Sequence, residues 1–310
     1  MKRFRNIVFF ADGEYEQSSA LRRAVRLAET NNARLTVIDV LESVTTPSEV
    51  FGRFNVKLDE VLSDYCQDQL DRLVSEFMPD DSLIYTEVLT GTPYIEVIRA
   101  IKNRGYDLLI KAAKAPLRAS SQQIFGSTDL HLLRKCPCPV WIDRPSDEPT
   151  YRNVLAAVDP ADDSGENCDD LIMELAVSLS ETEGAQVNFV HAWRLEGESM
   201  LRKGLVRMQE EEVDDLLRNA ESRHRDRLSE LMGRYGIDID DTRVKLIKDE
   251  PAAAIYDVAA AVAADLIILG TVGRVGIPGY FIGNTAEEVI DTTCASVLAL
   301  KPEGFVSPVE

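Results

Sequence analysis

The sequence predicts an α/β protein built from two repeated domains, each a doubly wound parallel sheet. Short apolar, β-branched runs alternate with segments of helical period along the whole chain, the pattern of parallel strands covered by helices on both faces. The order of these segments in the first half is repeated in the second. The length of 310 residues suits two domains of roughly 150 residues each.

The first half opens with the apolar strand NIVFFAD, which ends at Asp12. Period-two or continuous apolar runs predict its strands at 6–12, 33–42, 82–91, 107–113 and 138–144. Helical period predicts helices at 20–30, 56–78, 92–101 and 125–135. Pro93 falls in the first turn of the third helix, where proline is favoured.

The second half repeats this plan, beginning with NVLAAVD, which ends at Asp159. Its strands are predicted at 153–159, 186–193, 243–249, 265–270 and 296–302, and its helices at 171–181, 207–235, 251–264 and 284–293. The long helix 207–235 is charged on most faces, with a predicted buried stripe of Leu216, Leu217, Leu228, Leu231 and Met232.

The Pro/Asp-rich stretch DRPSDEPT, at 143–150, is interpreted as the linker between the halves. We therefore place the domains at 1–145 and 151–305. The repeat predicts that they pack against each other as a built-in pair. The sequence leaves open whether the whole chain also forms a homodimer.

The net charge of −19 lies mostly in the second half of the chain. Such a surface repels nucleic acid and anionic lipid, so neither is expected as a partner. The N-terminal segment has too few apolar residues for a signal peptide, and no apolar run approaches the ~18 residues of a membrane span. The five cysteines show no framework spacing, which fits a reducing compartment; we expect a cytoplasmic protein.

The segment GTVGRVGIPGYFIGNTAE, residues 270–287, is unusually rich in glycine. It follows the strand DLIILG and precedes a helix, which is where phosphate-binding loops occur. Glycine lets backbone N–H groups approach a ligand closely, although a tight strand-to-helix connection would also use it.

Several motifs together resemble the universal stress protein family. They are the aspartate that ends each first strand, the strand DLII, and Gly270-x-x-Gly273 followed after nine residues by Gly283. Nucleotide-binding members carry G-x-x-G, nine residues, then G-S/T. Gly91-Thr92-Pro93 and Cys138-Pro139-Val140 also match. The resemblance covers the whole chain, once per half, as in tandem two-domain members.

The resemblance implies a flavodoxin-like or nucleotide-α-hydrolase-like sheet that binds ATP or a related adenine nucleotide in the second half. Asp159 would contact adenine or ribose, and the backbone at His191–Ala192 would line the base pocket. Gly270 and Gly273 would let the loop approach phosphate, while Gly283, Asn284 and Thr285 would present N–H groups from a helix start. The rule that ligands of open α/β sheets bind at the carboxyl ends of the strands predicts the same place.

Two departures in the second half weaken the match. Asn284 stands where the family motif has a hydroxyl, although Thr285 follows it. Asp249-Glu250-Pro251 replaces the Gly-x-Pro of the first half and places two acids near the strand ends, which disfavours a triphosphate.

The first half departs further from the motif. Ala113 and Pro116, or in another register Ala112 and Ala115, occupy the glycine positions. We therefore expect a structural half with at most a weak second site. The residues of that weak site would be Asp12, Val40, Gly126, Ser127 and Thr128.

The chain contains no P-loop, dinucleotide fingerprint or nucleophile elbow, and no catalytic residue is assigned. At most, slow ATP hydrolysis is expected. His131, Cys136 and Cys138 lack the spacing of a structural zinc site, so no metal is predicted. His191 is expected in the pocket lining or core, and His224 on a solvated face. The function favoured is a stress-response regulatory module; a protein-interaction module and a carrier of a nucleotide-sugar or lipid-linked ligand remain alternatives.

Overall fold

The computed structural model of the protein describes most of the chain. The described residues are 3–13, 19–48, 51, 53, 55–77, 84–113, 125–146, 148, 150–160, 168–203, 208–271, 282–302 and 304–310. Within these ranges, no helix combines the length and the apolar composition that crossing a bilayer requires.

The first half alternates strands and helices in the predicted order. Its strands are β1 (Asn6–Phe10), β2 (Arg34–Leu41), β3 (Ile84–Thr90), β4 (Leu108–Ala112) and β5 (Val140–Asp143). Its helices are α1 (Ser19–Asn31), α2 (Leu58–Ser75), α3 (Pro93–Arg104) and α4 (Ser127–Lys135). Pro93 begins α3, as predicted, and Gly105 ends it with a φ of 65°, a left-handed conformation that glycine adopts at little cost.

The second half repeats the plan, and a short helix follows its second strand. Its strands are β6 (Asn153–Ala157), β7 (Gln186–Trp193), β8 (Val244–Lys248), β9 (Leu266–Gly270) and β10 (Ser296–Leu300). Its helices are α5 (Asp169–Glu183), α6 (Glu198–Arg202), α7 (Glu210–Arg234), α8 (Pro251–Ala261) and α9 (Asn284–Thr292). The five-residue α6 was not predicted, since it is too short to show a helical period.

All ten strands form one continuous sheet, in the order β3-β2-β1-β4-β5-β10-β9-β6-β7-β8. Every pairing within a half is parallel, and the two halves meet where β5 pairs antiparallel with β10. The predicted internal pair is therefore joined edge to edge through the backbone. This pairing covers the β5 edge of one half with the β10 edge of the other, which removes two exposed strand edges.

The core lies on both faces of this sheet, as the doubly wound prediction requires. Helices α1, α2, α5 and α7 contribute buried apolar side chains on one face. Helices α3, α4, α8 and α9 cover the other face. The inner strands are almost wholly buried, whereas the edge strands β3 and β8 are mostly half-buried.

The buried stripe of α7 differs from the prediction in its first half. Leu216 is exposed, whereas Val213 and Ala220 are buried. The second half of the stripe agrees, since Leu228 and Leu231 are buried, as is Met232. Only one face of this helix can pack on the sheet. The way the helix lies on the sheet decides which face is buried.

The linker is tied into both halves by a buried carboxylate. Asp143, at the end of β5, has 0% of its surface exposed. It accepts a hydrogen bond from Arg23 Nε of α1 at 3.1 Å and from Ser296 Oγ of β10 at 3.3 Å, and the Tyr151 hydroxyl also donates to it. Burial and the nearby Asp143 carboxylate raise the pKa of Tyr151, which keeps this hydroxyl a donor.

Candidate functional site

Each half of the sheet contains one point where the strand order reverses, between β1 and β4 and between β6 and β9. At such a topological switch point, the connections that follow the two neighbouring strands run in opposite directions. A crevice therefore opens between them at the carboxyl ends of the strands. Phe10 pairs with Lys111 at the first switch point, and Ala157 pairs with Leu269 at the second. Lys111 and Leu269 thus occupy equivalent positions in the two halves.

Asp159 follows β6 directly at the second switch point, and its side chain is 66% exposed. Its backbone N–H donates to Asp169 Oδ1 at 2.8 Å. Asp169 is buried in the first turn of α5, where the positive end of the helix favours a carboxylate. This bond joins the segment after β6 to the first turn of α5.

The carboxyl end of β7 places His191 and Ala192 beside Asp159, since β7 neighbours β6. The His191 ring is 1% exposed, and its Nδ1 lies 3.1 Å from the Val158 carbonyl and 3.8 Å from Asp159 Oδ1. Ala192 alternates with it along the strand and therefore faces the other side of the sheet. The imidazole of His191 therefore belongs to the core, whereas Ala192 is half-buried.

His224 is half-buried, and the expectation that it is solvated was wrong. Its Nδ1 lies 2.9 Å from Nε2 of His191, and its ring stacks on Trp193 with centroids 5.8 Å apart. A carbonyl acceptor at His191 Nδ1 makes that nitrogen the donor, so the neutral ring accepts at Nε2 and His224 donates. The two histidines therefore form a part-buried hydrogen bond between β7 and α7.

Gly270 ends β9 and pairs with Leu300. A Cβ added at Gly270 would lie 3.7 Å from the Cβ and Sγ of Cys168, an ordinary contact. The strand itself therefore does not require glycine at this position. Gly273 lies outside the described residues.

Gly283 is the N-cap residue of α9, with φ −63° and ψ 144°, values that any L-residue adopts. Its N–H donates to the Thr271 carbonyl at 2.8 Å, so the expectation that this N–H faces a ligand was wrong. Asn284 is exposed and Thr285 half-buried at the start of α9. The first turn of a helix has N–H groups without intrahelical acceptors, which makes the residues after Gly283 the candidate anion contacts.

An open groove of about 530 Å³ lies at the carboxyl ends of β7 and β8, between α6 and the start of α8. The acids predicted there are accompanied by cations that the sequence analysis did not single out. Arg194 pairs with Glu250, and Lys248 lies 2.8 Å from Glu198. The hydrogen bond from Lys248 to Glu198, and after it the one from Arg202, lower the pKa of Glu198. The groove thus carries less net negative charge than the Asp249-Glu250 sequence indicates.

The first switch point is filled by a side chain of the protein itself. Lys111 has 1% of its side chain exposed, and its Nζ lies 3.0 Å from Asp12 Oδ2 and 2.7 Å from Asp129 Oδ1. Nζ also donates to the Ala112 carbonyl at 3.0 Å. Asp12, the counterpart of Asp159, is only 10% exposed. A charged residue inside the apolar run DLLIKAA was the available sequence signal for this ion cluster.

The other residues of the predicted weak site lie around this cluster. Val40 is buried, and its N–H donates to Asp39 Oδ1 at 2.8 Å. Gly126 precedes α4, and its N–H donates to Asp129 Oδ2 at 2.8 Å. Ser127 is exposed and Thr128 half-buried in the first turn of the same helix. Asp129 therefore takes the acceptor place at this helix start that a ligand anion would occupy.

His131, Cys136 and Cys138, for which the sequence predicts no metal, each contact a neighbouring side chain. The His131 ring stacks on Tyr94 with centroids 4.2 Å apart, and burial lowers its pKa. Both thiols are buried and lie against each other. Over the described part of the chain, no cluster of three or more side chains has the arrangement of a metal site.

Comparison with known proteins places these features in a family. A family model described as the universal stress protein family matches residues 3–144 and 150–301. Universal stress protein E of Escherichia coli (strain K12) is 30% identical over 319 residues, covering 100% of this chain and 98% of that protein. A universal stress protein E homolog of Haemophilus influenzae is 29% identical over 313 residues, covering 97% and 98%.

Solved structures share the fold over nearly the whole chain. A functionally unknown protein from Pseudomonas aeruginosa PAO1 superposes with a TM-score of 0.71 at 23% identity, covering 98% of this chain and 95% of that one. A universal stress protein from Archaeoglobus fulgidus DSM 4304 gives 0.56 at 17% identity, covering 96% and 98%. The repeated α/β architecture of the ten-stranded sheet is therefore one that other proteins adopt.

Proposed function

Because this chain belongs to the universal stress protein family, with two such domains in tandem, we propose that its second half binds an adenine-nucleotide-like ligand and that binding makes the protein a stress-response regulatory module. The ligand would lie at the second switch point. Asp159 would accept hydrogen bonds from ribose or adenine, and the start of α9 would face phosphate.

One observation carries the assignment to the second half: the two switch points differ in charge and access. The crevice beside Asp159 has an exposed carboxylate and the apolar Leu269, whereas the equivalent place beside Asp12 holds the Lys111 ammonium between two acids. A nucleotide at the first point would have to displace a buried ion cluster. At the second point Leu269 stands in the place of Lys111, and the Asp159 carboxylate is exposed.

The charged residues of this half affect how many phosphate groups the bound nucleotide would carry. Glu250 and Glu198 are each paired with a cation, so the groove at the carboxyl ends of β7 and β8 has a mixed charge. Exposed pairs of this kind are weakly held and can exchange partners. A nucleotide with one or two phosphates fits such a surface better than a triphosphate, because less anionic charge has to be neutralised. No catalytic group is assigned.

The experiment uses the full chain and measures the affinity for ATP and AMP by calorimetry and by thermal shift. Binding at millimolar ligand raises the unfolding temperature by mass action. Asp159→Ala should weaken binding by about tenfold or more, since a hydrogen bond to a charged group is worth about 1.5–3 kcal/mol. Asp257→Ala, an exposed aspartate on α8, is the matched control and should bind as the unmodified protein does.

Two further variants test the glycines at the two ends of the segment between β9 and α9, Gly270 and Gly283. Gly283→Val is compatible with the φ and ψ of this N-cap position and adds a branched side chain at the start of α9, so it should remove binding with little loss of folding. Gly270→Ala has room beside Cys168 and should fold normally. Affinity unchanged in Gly283→Val would reject the assigned loop.

The alternatives give distinct results in native and denaturing mass spectrometry of the purified protein. Retained adenine nucleotide supports the proposal. A retained nucleotide-sugar or lipid identifies a carrier instead. If nothing is retained and neither nucleotide shifts the unfolding temperature, nucleotide binding is rejected and a protein-interaction module remains.

A further inference from the structure

Two cysteines lie side by side at the end of α4. Cys136 caps this helix, and its N–H donates to the Leu132 carbonyl at 2.9 Å. Cys138 follows after one proline and precedes β5, the strand that joins the halves. Their sulfur atoms are 3.5 Å apart, both thiols are reduced, and both residues are buried. A disulfide has an S–S length of about 2.05 Å, so a sulfur displacement of about 1.5 Å would close the bond.

The two thiols have different environments. The pKa of Cys138 is raised well above its usual value, first by the hydrogen bond with Cys136 and then by burial. Cys138 therefore keeps its proton, and in the contact between the two sulfurs either one can be the donor. The thiolate is the reactive form of cysteine.

A buried lysine adds positive charge beside Cys136. Lys301 follows β10, and its Nζ donates to the carbonyls of Leu133 at 2.8 Å and Arg134 at 3.4 Å, in the last turn of α4. Burial lowers the pKa of Lys301 to about 8, while the charges of Cys136 and Cys168 oppose this shift. The Lys301 ammonium therefore lies where it would stabilise negative charge that develops on the Cys136 sulfur.

We propose that Cys136 and Cys138 form a redox site that a hydroperoxide oxidises to an intramolecular disulfide, with Cys136 as the attacking sulfur and Cys138 as the resolving one. The Cys136 thiolate attacks the terminal peroxide oxygen, and the O–O bond breaks. The departing oxygen takes a proton and leaves as water or an alcohol. Cys136 is then a sulfenic acid.

The Cys138 sulfur next attacks the Cys136 sulfur. The S–S bond forms as the S–O bond breaks, and the hydroxyl leaves as water with the proton of Cys138. In sum, two thiols and one hydroperoxide give one disulfide, one water and one further water or alcohol. The two sulfurs lose two electrons and the peroxide gains them. A dithiol reductant reverses the change by thiol–disulfide exchange.

The remaining cysteines provide internal controls. Cys168 is also buried, and burial raises its pKa to about 12, so it stays an unreactive thiol. Cys66 is half-buried on α2, and Cys294 is exposed after α9. Exposure alone would make Cys294 the first thiol to react, whereas the proposal places the Cys136–Cys138 pair first.

The test treats the full, reduced chain with hydrogen peroxide, alkylates remaining thiols after unfolding, and analyses tryptic peptides by mass spectrometry. Cleavage after Lys135 and Arg152 gives a peptide that contains Cys136 and Cys138 and no other cysteine, because Arg144 precedes a proline. We expect this peptide to lose two hydrogens and take up no alkyl group, while the Cys168 peptide stays alkylated. Dithiothreitol should restore double alkylation.

Two variants assign the roles of the sulfurs. Cys138→Ser should stop at a sulfenic acid on Cys136, which dimedone traps, and Cys136→Ser should give no dimedone adduct on Cys138. Lys301→Gln should slow trapping in the Cys138→Ser background severalfold at neutral pH, since it removes the ammonium beside the thiolate.

Three results would overturn the proposal. They are a doubly alkylated 136–152 peptide after peroxide treatment, dimedone on Cys138 in place of Cys136, and oxidation of Cys294 or Cys66 ahead of the pair. The first readout is made on the unmodified chain, so it holds whether or not a variant folds. It needs no nucleotide and is therefore independent of the proposed ligand.

Discussion

Lys301 should make the stability of this protein depend on pH in a direction that can be worked out in advance. Its ammonium is buried, with 6% of the residue exposed, and burial lowers its pKa from 10.5 to about 8. In the unfolded chain the ammonium returns to water and its ordinary pKa. Between these two values the unfolded chain binds more protons than the folded one, so stability rises with pH.

The magnitude follows from the two pKa values. Below about pH 8 the folded protein bears the full penalty of a buried ammonium, about 3 kcal/mol at about 1.4 kcal/mol per pKa unit. The penalty is relieved as the pH rises toward 10.5. From about pH 7.5 to about pH 9.5, Lys301 should therefore add about 2 kcal/mol to the free energy of unfolding.

The assay is urea unfolding under reducing conditions at these two pH values, for the unmodified chain and for Lys301→Met. Tyrosines and cysteines titrate in both proteins, so the difference between them isolates Lys301. Lys203→Met, which changes an exposed lysine, should retain the full pH dependence. If Lys301→Met shows the same pH dependence as the unmodified chain, the ammonium is not desolvated in the folded protein and the reasoning fails.

Three further changes test other parts of the structure. Asp143→Ala should lower the free energy of unfolding by about 3–5 kcal/mol, because it leaves the buried Arg23 guanidinium without its carboxylate. In urea unfolding, the double variant with Arg23→Met should recover part of the lost stability. A loss below about 1 kcal/mol in the single variant would contradict the buried pair. Lys111→Leu should cost a similar amount, about 3 kcal/mol, since two carboxylates lose their shared cation, and a variant as stable as the unmodified chain would show that the cluster does not hold the first half together. Gly270→Ala should change the free energy of unfolding by less than about 1 kcal/mol, as its Cβ would meet Cys168 at an ordinary distance, and a larger loss in the same assay would show that the strand end is closely packed.

The sequence indicates where the candidate site would lie, and the structure supplies the contacts of its residues. The aspartate after each first strand and the glycine-rich segment pointed to the carboxyl ends of β6 and β9, because strand ends and helix starts leave local signals. The direction of individual N–H groups left no such signal. Gly283 looked suited to a ligand, yet its N–H donates to the carbonyl of Thr271, the residue that follows β9.

The same limit explains the histidines and the long helix. His224 stands in a highly charged stretch, and nothing in its neighbours along the chain shows that His191, on another element, lies 2.9 Å away. The buried stripe of α7 was assigned from its leucines, but Val213 and Ala220 face the sheet instead of Leu216. Helical period shows that one face is buried, and several faces of a long helix contain enough apolar residues to qualify.

By itself, the sequence determined the α/β class, the twofold repeat and the order of strands and helices. These are consequences of apolar periodicity, which is a local property and is set by how each strand or helix buries one side. Only the tertiary structure decided that β5 and β10 join the halves into one sheet, and that Asp12 is buried against Lys111 while Asp159 is exposed. Those outcomes depend on which distant side chains meet in space, and the pairing of charges across a buried crevice has no counterpart in any local pattern.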